Sequence, residues 1–139
     1  MVVLLVDDDL TVLESWLVEF ESYPEYRVFH ASSLVDAQRH VDEHAPDLAI
    51  VDLGLPKDTS SANPLDRDAD PENGIDLLRD LDNRGIPAFA LSGEIDPDVA
   101  ARVGTLIIKK PVEDFESEVV ERIKYASEAI ASDLRQSDP

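Results

Sequence analysis

Short apolar runs alternate with segments of helical periodicity along the whole sequence, and this alternation constrains the fold more than any other feature. Five runs predict strands, whereas the segments between them place apolar residues three or four positions apart, as on one face of a helix. Such an order gives a parallel sheet with helices on both faces, because each right-handed crossover returns the chain to the same sheet. We therefore predict an α/β fold, a doubly wound five-stranded parallel sheet. The predicted strands are Val2–Val6, Tyr26–His30, Leu48–Val51, Pro87–Leu91 and Thr105–Ile108.

Polar residues at the predicted helix starts support the same division of the chain. Asp8 or Asp9 can cap the first helix, and Ser32 or Ser33 the second, because a short side-chain oxygen accepts a free backbone N–H there. Trp16 falls within the apolar periodicity of the first helix, which favours packing over a role in binding. The other helices are predicted after Asn73-Gly74, near Pro97–Val103 and after Pro111.

Charge is the compositional feature that narrows function most. Twelve Lys and Arg residues against 31 Asp and Glu residues give a formal net charge of −19. DNA, RNA and anionic lipid repel such a chain, which argues against nucleic acid and membrane surfaces as direct partners. The absence of cysteine excludes disulfides and thiolate metal sites. No apolar stretch approaches the roughly 20 residues of a membrane span, so a cytoplasmic protein is the simplest expectation.

Polar and charged residues follow four of the five predicted strands at the point where each strand ends. In a parallel sheet these carboxyl ends lie on one edge, where ligands of such folds bind. The sequence therefore predicts one site that contains carboxylates, a hydroxyl and a lysine. The residues are Asp7-Asp8-Asp9 after the first strand, Asp52 after the third, Ser92 after the fourth and Lys109-Lys110 after the fifth.

Carboxylates that converge in this way need a neutralising partner. At an effective dielectric constant near 20, two unit charges 4 Å apart repel by about 4 kcal/mol. A divalent cation, a lysine or protonation of one acid must offset that repulsion. Mg²⁺ prefers oxygen ligands, commonly one or two carboxylates with water and phosphate oxygens. Asp7 and Asp8 can supply such ligands, whereas Asp52 can ligate weakly and attack phosphorus to form an aspartyl phosphate. Asp9 is interpreted as a helix cap rather than a third ligand.

Four motifs, in their order and spacing, resemble the receiver domain of two-component response regulators. The resemblance covers about residues 1–125 and implies a flavodoxin-like receiver fold with sheet order 2-1-3-4-5. The motifs are Leu5-Val6-Asp7-Asp8-Asp9, residues 46–56 (PDLAIVDLGLP), Ala90-Leu91-Ser92-Gly93 and Lys110-Pro111.

The resemblance implies a phosphorylation-activated signalling switch. A histidine kinase, a phosphotransfer protein or a small phosphodonor would supply the phosphoryl group, and phosphorylation would change the surface offered to a downstream protein that the sequence does not identify. The implied phosphoacceptor is Asp52. The implied Mg²⁺ ligands are Asp7, Asp8, Asp52 and the backbone carbonyl of Gly54, with Mn²⁺ as the alternative ion, and the implied phosphoryl-binding residues are Ser92 and Lys110.

Two features depart from the receiver pattern. Ile107 stands three residues before Lys110, where receivers usually carry Tyr or Phe, so the usual aromatic switch is in doubt. The polar segment 57–73 is an insertion in the loop that leads to the third helix. Loops of this length are uncommon unless they are functional or disordered. The segment is interpreted either as a lid or kinase-contact element or as a passive insertion.

Two other function classes compete with the switch. A phosphatase of the haloacid dehalogenase type needs a second Asp two residues after the nucleophile, and Gly54 occupies that position, so we predict that the chain is not a turnover enzyme. A pseudo-receiver that binds partners without phosphorylation is the alternative, and Ile107 and the insertion are the features that favour it.

Two helical segments carry further candidate features. His40 and His44 lie four residues apart and could ligate a metal together, but no HExxH glutamate accompanies them, and we interpret them as a solvated helix face. The last helix has apolar periodicity from Phe115 to Leu134. The extension and tail at 126–139 could pair with a second copy of the chain, join a neighbouring domain, or fray.

Overall fold

The computed structural model describes residues 1–56, 69–93, 98, 101–102, 107–110, 112–126 and 128. Its strands are β1 (Val2–Val6), β2 (Arg27–Ala31), β3 (Leu48–Asp52), β4 (Leu55–Pro56), β5 (Ala69–Asp70), β6 (Ala88–Ser92) and β7 (Ile107–Lys109). Its helices are α1 (Leu10–Phe20), α2 (Leu34–His44), α3 (Pro71–Asn83) and a C-terminal helix over 115–126 that includes a π-helical stretch at Glu116–Val120.

Five strands form one parallel sheet in the order β2-β1-β3-β6-β7. Since β6 and β7 are the fourth and fifth strands of this sheet, the predicted order 2-1-3-4-5 and the flavodoxin-like architecture are confirmed. The central strands β1 and β3 are apolar on both faces because helices cover both sides of the sheet. Within the described ranges, no helix is long and apolar enough to cross a membrane.

The sheet separates two hydrophobic clusters. Successive residues of a strand point to opposite faces, so Leu4 and Val6 of β1 join one cluster and Val3 and Leu5 join the other. The first cluster is completed by the apolar faces of α2 and α3, and the second by α1 and the C-terminal helix. Both sides of the sheet are therefore packed, which leaves the carboxyl ends of the strands as the place for a ligand.

The predicted caps and the predicted role of Trp16 are confirmed. The Asp9 side chain accepts hydrogen bonds from the backbone N–H groups that open α1, and the Ser33 hydroxyl oxygen accepts one at the start of α2. Trp16 is 5% exposed. Its ring lies 6.5 Å from that of Phe20 and 5.2 Å from that of Phe115, so it joins α1 to the C-terminal helix.

Several predicted boundaries differ from those observed. β2 begins one residue later than predicted, because Tyr26 packs beside the core while Arg27 begins the pairing with β1. α3 begins at Pro71, three residues before Gly74, and proline is well tolerated in the first turn of a helix. β7 ends one residue later than the predicted fifth strand. The predicted short helix near 97–103 is described only at residues 98, 101 and 102, which are helical.

The sequence did not indicate the two short strands β4 and β5, of which the first precedes the predicted insertion and the second lies within it. β4 and β5 pair antiparallel, with Leu55 opposite Asp70 and Pro56 opposite Ala69. Residues 57–68 lie outside the described part of the chain, as do residues 127 and 129–139, which make up most of the predicted extension and tail at 126–139. The last three residues of the predicted insertion, 71–73, belong to α3.

Candidate functional site

The carboxyl ends of the sheet strands meet on one edge, and the predicted site residues lie there. Asp7 directly follows β1, and Asp52 is the last residue of β3. Ser92 ends β6, and Lys110 directly follows β7. The parallel register places Asp52 opposite Leu91, the residue before Ser92. Residues that are separated by a hundred positions in sequence therefore surround one pocket.

Asp7 is the most buried acid of the pocket, with no exposed surface. Its backbone N–H donates to the Ala31 carbonyl at 3.1 Å, which extends the pairing of β1 with β2 by one residue. Its Oδ1 accepts the backbone N–H of Asp9 at 2.9 Å. The start of α1 therefore holds one oxygen of this carboxylate and leaves Oδ2 directed to the pocket.

Asp52 is held by the turn that follows β3. Its side chain is 11% exposed. The backbone N–H of Gly54 lies 3.4 Å from Asp52 Oδ1, a long and weak hydrogen bond. The backbone N–H of Leu53 donates to the Leu91 carbonyl at 3.1 Å and so ties the turn to β6. This carboxylate is positioned by backbone groups and is less enclosed than that of Asp7.

Lys110 lies between the two buried acids. Its Nζ is 2.7 Å from Asp7 Oδ2 and 3.2 Å from Asp52 Oδ2. Its backbone N–H donates to the Ser92 carbonyl at 2.9 Å, whereas its neighbour Lys109 is exposed. Burial lowers the pKa of Lys110, but the hydrogen bonds and charges of the two aspartates outweigh burial and raise the pKa above its usual value. The side chain is therefore an ammonium ion at neutral pH.

One ammonium group does not neutralise the pocket. Burial and the charge of Asp52 raise the pKa of Asp7 to about 6, although Lys110 acts in the opposite direction. Burial and the charge of Asp7 also raise the pKa of Asp8, which is exposed at the rim. Burial and carboxylate repulsion thus both favour the protonated form of Asp7, and three carboxylates against one ammonium leave the ionised pocket with an excess of negative charge.

The donor set of the pocket suits a hard divalent cation. One oxygen from each of Asp7, Asp8 and Asp52 lies within 4.8 Å of the other two. Asp7 Oδ2 is buried and faces the Lys110 ammonium at 2.7 Å, its charge partner in the pocket among the described residues. Mg²⁺ and Mn²⁺ favour such oxygen ligands, and a bound cation would offset both the burial and the Asp52 charge that raise the pKa of Asp7.

The remaining predicted site residues flank these groups. Ser92 is 9% exposed at the end of β6, and Gly54 is in the turn after Asp52. Ile107 is partly buried against the hydrophobic cluster beneath α2 and α3. An open groove of about 530 Å³ reaches Lys110 from α1 and is lined by Thr11, Val12, Ser15, Trp16, Gly93, Lys110 and Val112.

Two residues that support the site were missed in the sequence analysis. A Cβ added to Gly74 in α3 would lie 2.5 Å from the Cα and carbonyl oxygen of Leu53, so only glycine fits there. The Asn73 amide donates to the Leu55 carbonyl at 2.9 Å. Together they press the first turns of α3 against the chain that follows Asp52. The Asn-Gly pair was read only as a helix boundary, and no periodic signal marks such a close approach.

The raised pKa of Asp7 predicts how stability depends on pH. A carboxyl whose pKa is raised in the folded chain stabilises it below the ordinary pKa, and that stability is lost as pH rises towards the folded value. Between pH 4 and pH 7 without added metal, the free energy of unfolding should therefore fall by about 2.4 kcal/mol more in the native chain than in Asp7→Asn. Urea titrations at a series of pH values measure this difference.

A matched variant separates this local effect from the loss of one negative charge. Asp82→Asn removes the same charge from an exposed position on α3 and should follow the native pH profile. Millimolar Mg²⁺ should reduce the fall near pH 7, because a cation favours the ionised form of Asp7. Equal profiles for Asp7→Asn and Asp82→Asn would contradict the prediction.

Comparison with known proteins identifies the fold. No protein-family description and no curated protein matches the sequence. The structure is similar to a signal receiver domain from Vibrio parahaemolyticus, with 22% identity, a TM-score of 0.74 and coverage of 98% of this chain and 97% of that one. A CheY-like receiver domain protein from Methanospirillum hungatei is similar at 23% identity and a TM-score of 0.72, with coverage of 95% of this chain and 97% of that one. The chemotaxis protein CheY4 of Vibrio cholerae is similar at 17% identity and a TM-score of 0.66, with coverage of 89% of this chain and 96% of that one.

Proposed function

We propose that the protein is a phosphorylation-activated signalling switch of a two-component system, because it combines an acidic pocket with the fold of response regulator receiver domains over nearly its whole length, as the sequence resemblance predicted. Asp52 accepts a phosphoryl group from a histidine kinase, a phosphotransfer protein or a small phosphodonor. The observation that carries this proposal is the convergence of Asp7, Asp8 and Asp52 around the ammonium group of Lys110.

Asp52 is the acid best placed to act as the nucleophile. It is more open to solvent than Asp7, and its position is fixed by the turn at Gly54 and by the contact of that turn with β6. With acetyl phosphate as donor, a carboxylate oxygen attacks phosphorus, the bond between phosphorus and the acetate oxygen breaks, and acetate leaves. The product is an acyl phosphate on Asp52.

Lys110 and the other acids have distinct roles in this step. The Lys110 ammonium, already 3.2 Å from Asp52 Oδ2, is placed to neutralise charge on the incoming phosphoryl oxygens. Asp7, Asp8, Asp52 and the Gly54 carbonyl would hold Mg²⁺. When it is bound, that ion supplies positive charge that stabilises the transferring phosphoryl group. Asp7 is held by the start of α1 through one carboxylate oxygen and holds the Lys110 ammonium with the other.

Ser92 would connect phosphorylation to the surface. It ends β6 beside the acceptor strand, and we propose that its hydroxyl donates a hydrogen bond to a phosphoryl oxygen and draws the following loop inward. Ile107 is packed against the hydrophobic cluster, and because isoleucine has no aromatic ring, no large ring can move there between a buried and an exposed position. We therefore propose that the output surface changes through the loop after β6 rather than through an aromatic side chain.

In this proposal the protein accepts one phosphoryl group and does not turn over a substrate. Gly54 stands where a haloacid-dehalogenase phosphatase carries its acid, and this difference supports the proposal. Slow hydrolysis of its own acyl phosphate is compatible with this role, because the same pocket can admit water.

Intact-mass measurement after exposure to acetyl phosphate tests the proposal. The native chain with millimolar Mg²⁺ should gain one phosphoryl group, and EDTA should prevent the gain. Hydroxylamine should remove the group, since it cleaves acyl phosphates but not phosphoserine. A chain that gains no phosphoryl group from acetyl phosphate or from a phosphorylated phosphotransfer protein would favour the pseudo-receiver alternative.

The two adjacent lysines provide a matched pair of variants. Lys110→Ala should slow phosphoryl incorporation by at least about 100-fold, since loss of one donor to the developing charge costs about 2.7–4 kcal/mol in comparable sites. Lys109→Ala removes the same charge from the exposed neighbour and should change the rate less than about threefold. The initial rates of mass increase give both values. The reverse order would show that the wrong lysine was assigned.

A further inference from the structure

The last two turns of α2 carry a second cluster of metal-binding side chains, and it shares no residue with the acidic pocket. One ligand atom from each of His40, Glu43 and His44 lies within 4.8 Å of the other two. The chain has three histidines, and two of them are in this cluster. The interpretation of the histidine pair as a solvated helix face therefore overlooks how closely the structure brings the three side chains together.

The two imidazole rings are held in place by their neighbours. The His44 ring stacks on Phe29 of β2, with centroids 3.9 Å apart and an angle of 12° between the planes. The His40 ring lies 5.4 Å from that of His44, at an angle of 24°. Only 18% of the His40 side chain and 34% of the His44 side chain are exposed. Rings ordered in this way lose little conformational freedom when they bind an ion.

His40 has an unused nitrogen in this arrangement. Its Nδ1 is buried and has no hydrogen-bond partner among the described residues. Its Nε2 lies 3.9 Å from Asp36 Oδ1, one helical turn earlier. That distance is too long for a hydrogen bond, and Asp36 Oδ1 is paired with Arg39, so Asp36 does not engage the ring and the unpartnered Nδ1 is free to act as a ligand. The Glu43 carboxylate is close to the second ring, with Oε2 3.8 Å from His44 Nε2.

From this geometry we propose that His40, Glu43 and His44 bind a divalent transition-metal ion, with Zn²⁺ as its representative. Two imidazole nitrogens and one carboxylate oxygen are a recurrent zinc ligand set that leaves a fourth position for water. Ligands of tetrahedral zinc lie about 3.4 Å apart, so side-chain movements on the order of 1 Å would complete the site. Imidazole ligands favour Zn²⁺, Cu²⁺ and Ni²⁺ over Mg²⁺, so this site and the acidic pocket select different ions.

A bound ion would fix the end of α2 against the edge of the sheet. All three ligands are on α2, and His44 is its last residue and stacks on β2. The ion would therefore stabilise the last turns of this helix and, through Phe29, its contact with the edge strand. This site does not depend on phosphorylation of Asp52, and either proposal can fail without the other.

Side-chain ¹⁵N NMR of the full chain during a Zn²⁺ titration tests the site without interference from the acidic pocket. With millimolar Mg²⁺ present, the ring nitrogen signals of His40 and His44 should shift together and saturate with one bound ion. The signals of His30, which is exposed on β2 and outside the cluster, should not shift. Equal shifts of all three histidines, or no shift of the pair in Zn²⁺ excess, would overturn the proposal.

A ring-preserving variant keeps the test independent of folding. His44→Phe retains an aromatic ring to stack on Phe29 but has no ligand nitrogen, and it should weaken Zn²⁺ binding by at least about tenfold. Zn²⁺ should raise the unfolding temperature of the native chain and of His30→Ala, but not that of His44→Phe. Equal Zn²⁺ effects on the native chain and His44→Phe would exclude His44 as a ligand and overturn the proposal.

Discussion

Asp52→Asn is expected to abolish phosphoryl incorporation from acetyl phosphate. An amide oxygen of asparagine is a poor nucleophile and cannot form the acyl phosphate, although the side chain has nearly the shape of the aspartate. Phosphoryl incorporation should fall below the detection limit of intact-mass measurement, because the substitution removes the acceptor itself rather than one stabilising contact. The fold should be retained, since Asp7 still pairs with Lys110 and one source of carboxylate repulsion disappears.

Asp8→Asn is the matched control for Asp52→Asn. It removes one carboxylate from the rim of the same pocket but leaves the acceptor, so we expect slower incorporation that recovers as Mg²⁺ is raised. Asp52→Asn should not recover at any Mg²⁺ concentration. A phosphoryl group that persists on Asp52→Asn would move the acceptor to another residue, which tandem mass spectrometry of the digested protein would identify.

Gly74→Ala is expected to destabilise the fold by about 3 kcal/mol. In an ordinary helix interior this substitution stabilises by about 1 kcal/mol. Here the new Cβ would lie 2.5 Å from the Cα and carbonyl oxygen of Leu53, and a backbone cannot move aside as a flexible side chain can. Forced packing of this kind typically costs 1–3 kcal/mol, occasionally more, and Leu53 is part of the turn that positions Asp52.

Gly54→Ala provides the matched comparison, because a Cβ at that position would meet nothing within 4 Å. Its free energy of unfolding, measured by urea denaturation, should stay within about 0.5 kcal/mol of the native value. Gly74→Ala should in addition slow phosphoryl incorporation, since moving Leu53 moves the acceptor. Similar stabilities for the two variants would mean that α3 shifts away from the turn at little cost.

The central strands could be predicted from sequence because burial on both faces leaves a strong signal. The run at Val2–Val6 has no polar residue, and its observed bounds equal the predicted ones. The edge strand β2 was displaced by one residue, because a strand that is half exposed mixes Arg27, Phe29 and His30 and has no clear apolar limit. Tertiary pairing with β1, not local pattern, decides where such a strand begins.

The position of the acidic pocket followed from topology, but its chemistry depended on contacts that sequence does not contain. A parallel sheet brings the strand ends together whatever the side chains are. The end of β7 decides which of the two lysines faces Asp7. The close approach of α3 to Leu53 decides that only glycine fits at position 74. The stacking of His44 on Phe29 likewise joins residues from two elements and has no periodic signature.

The antiparallel pairing of Leu55–Pro56 with Ala69–Asp70 has a consequence for how this protein can diversify. It sets Pro56 opposite Ala69, so we expect that the number of residues between them can change without altering the geometry at Asp52. For a flexible connection, doubling the length adds only about 0.6 kcal/mol of entropic cost. Evolution, or a protein engineer who grafts a peptide epitope there, can therefore vary recognition at this junction while the phosphoacceptor strand is left undisturbed.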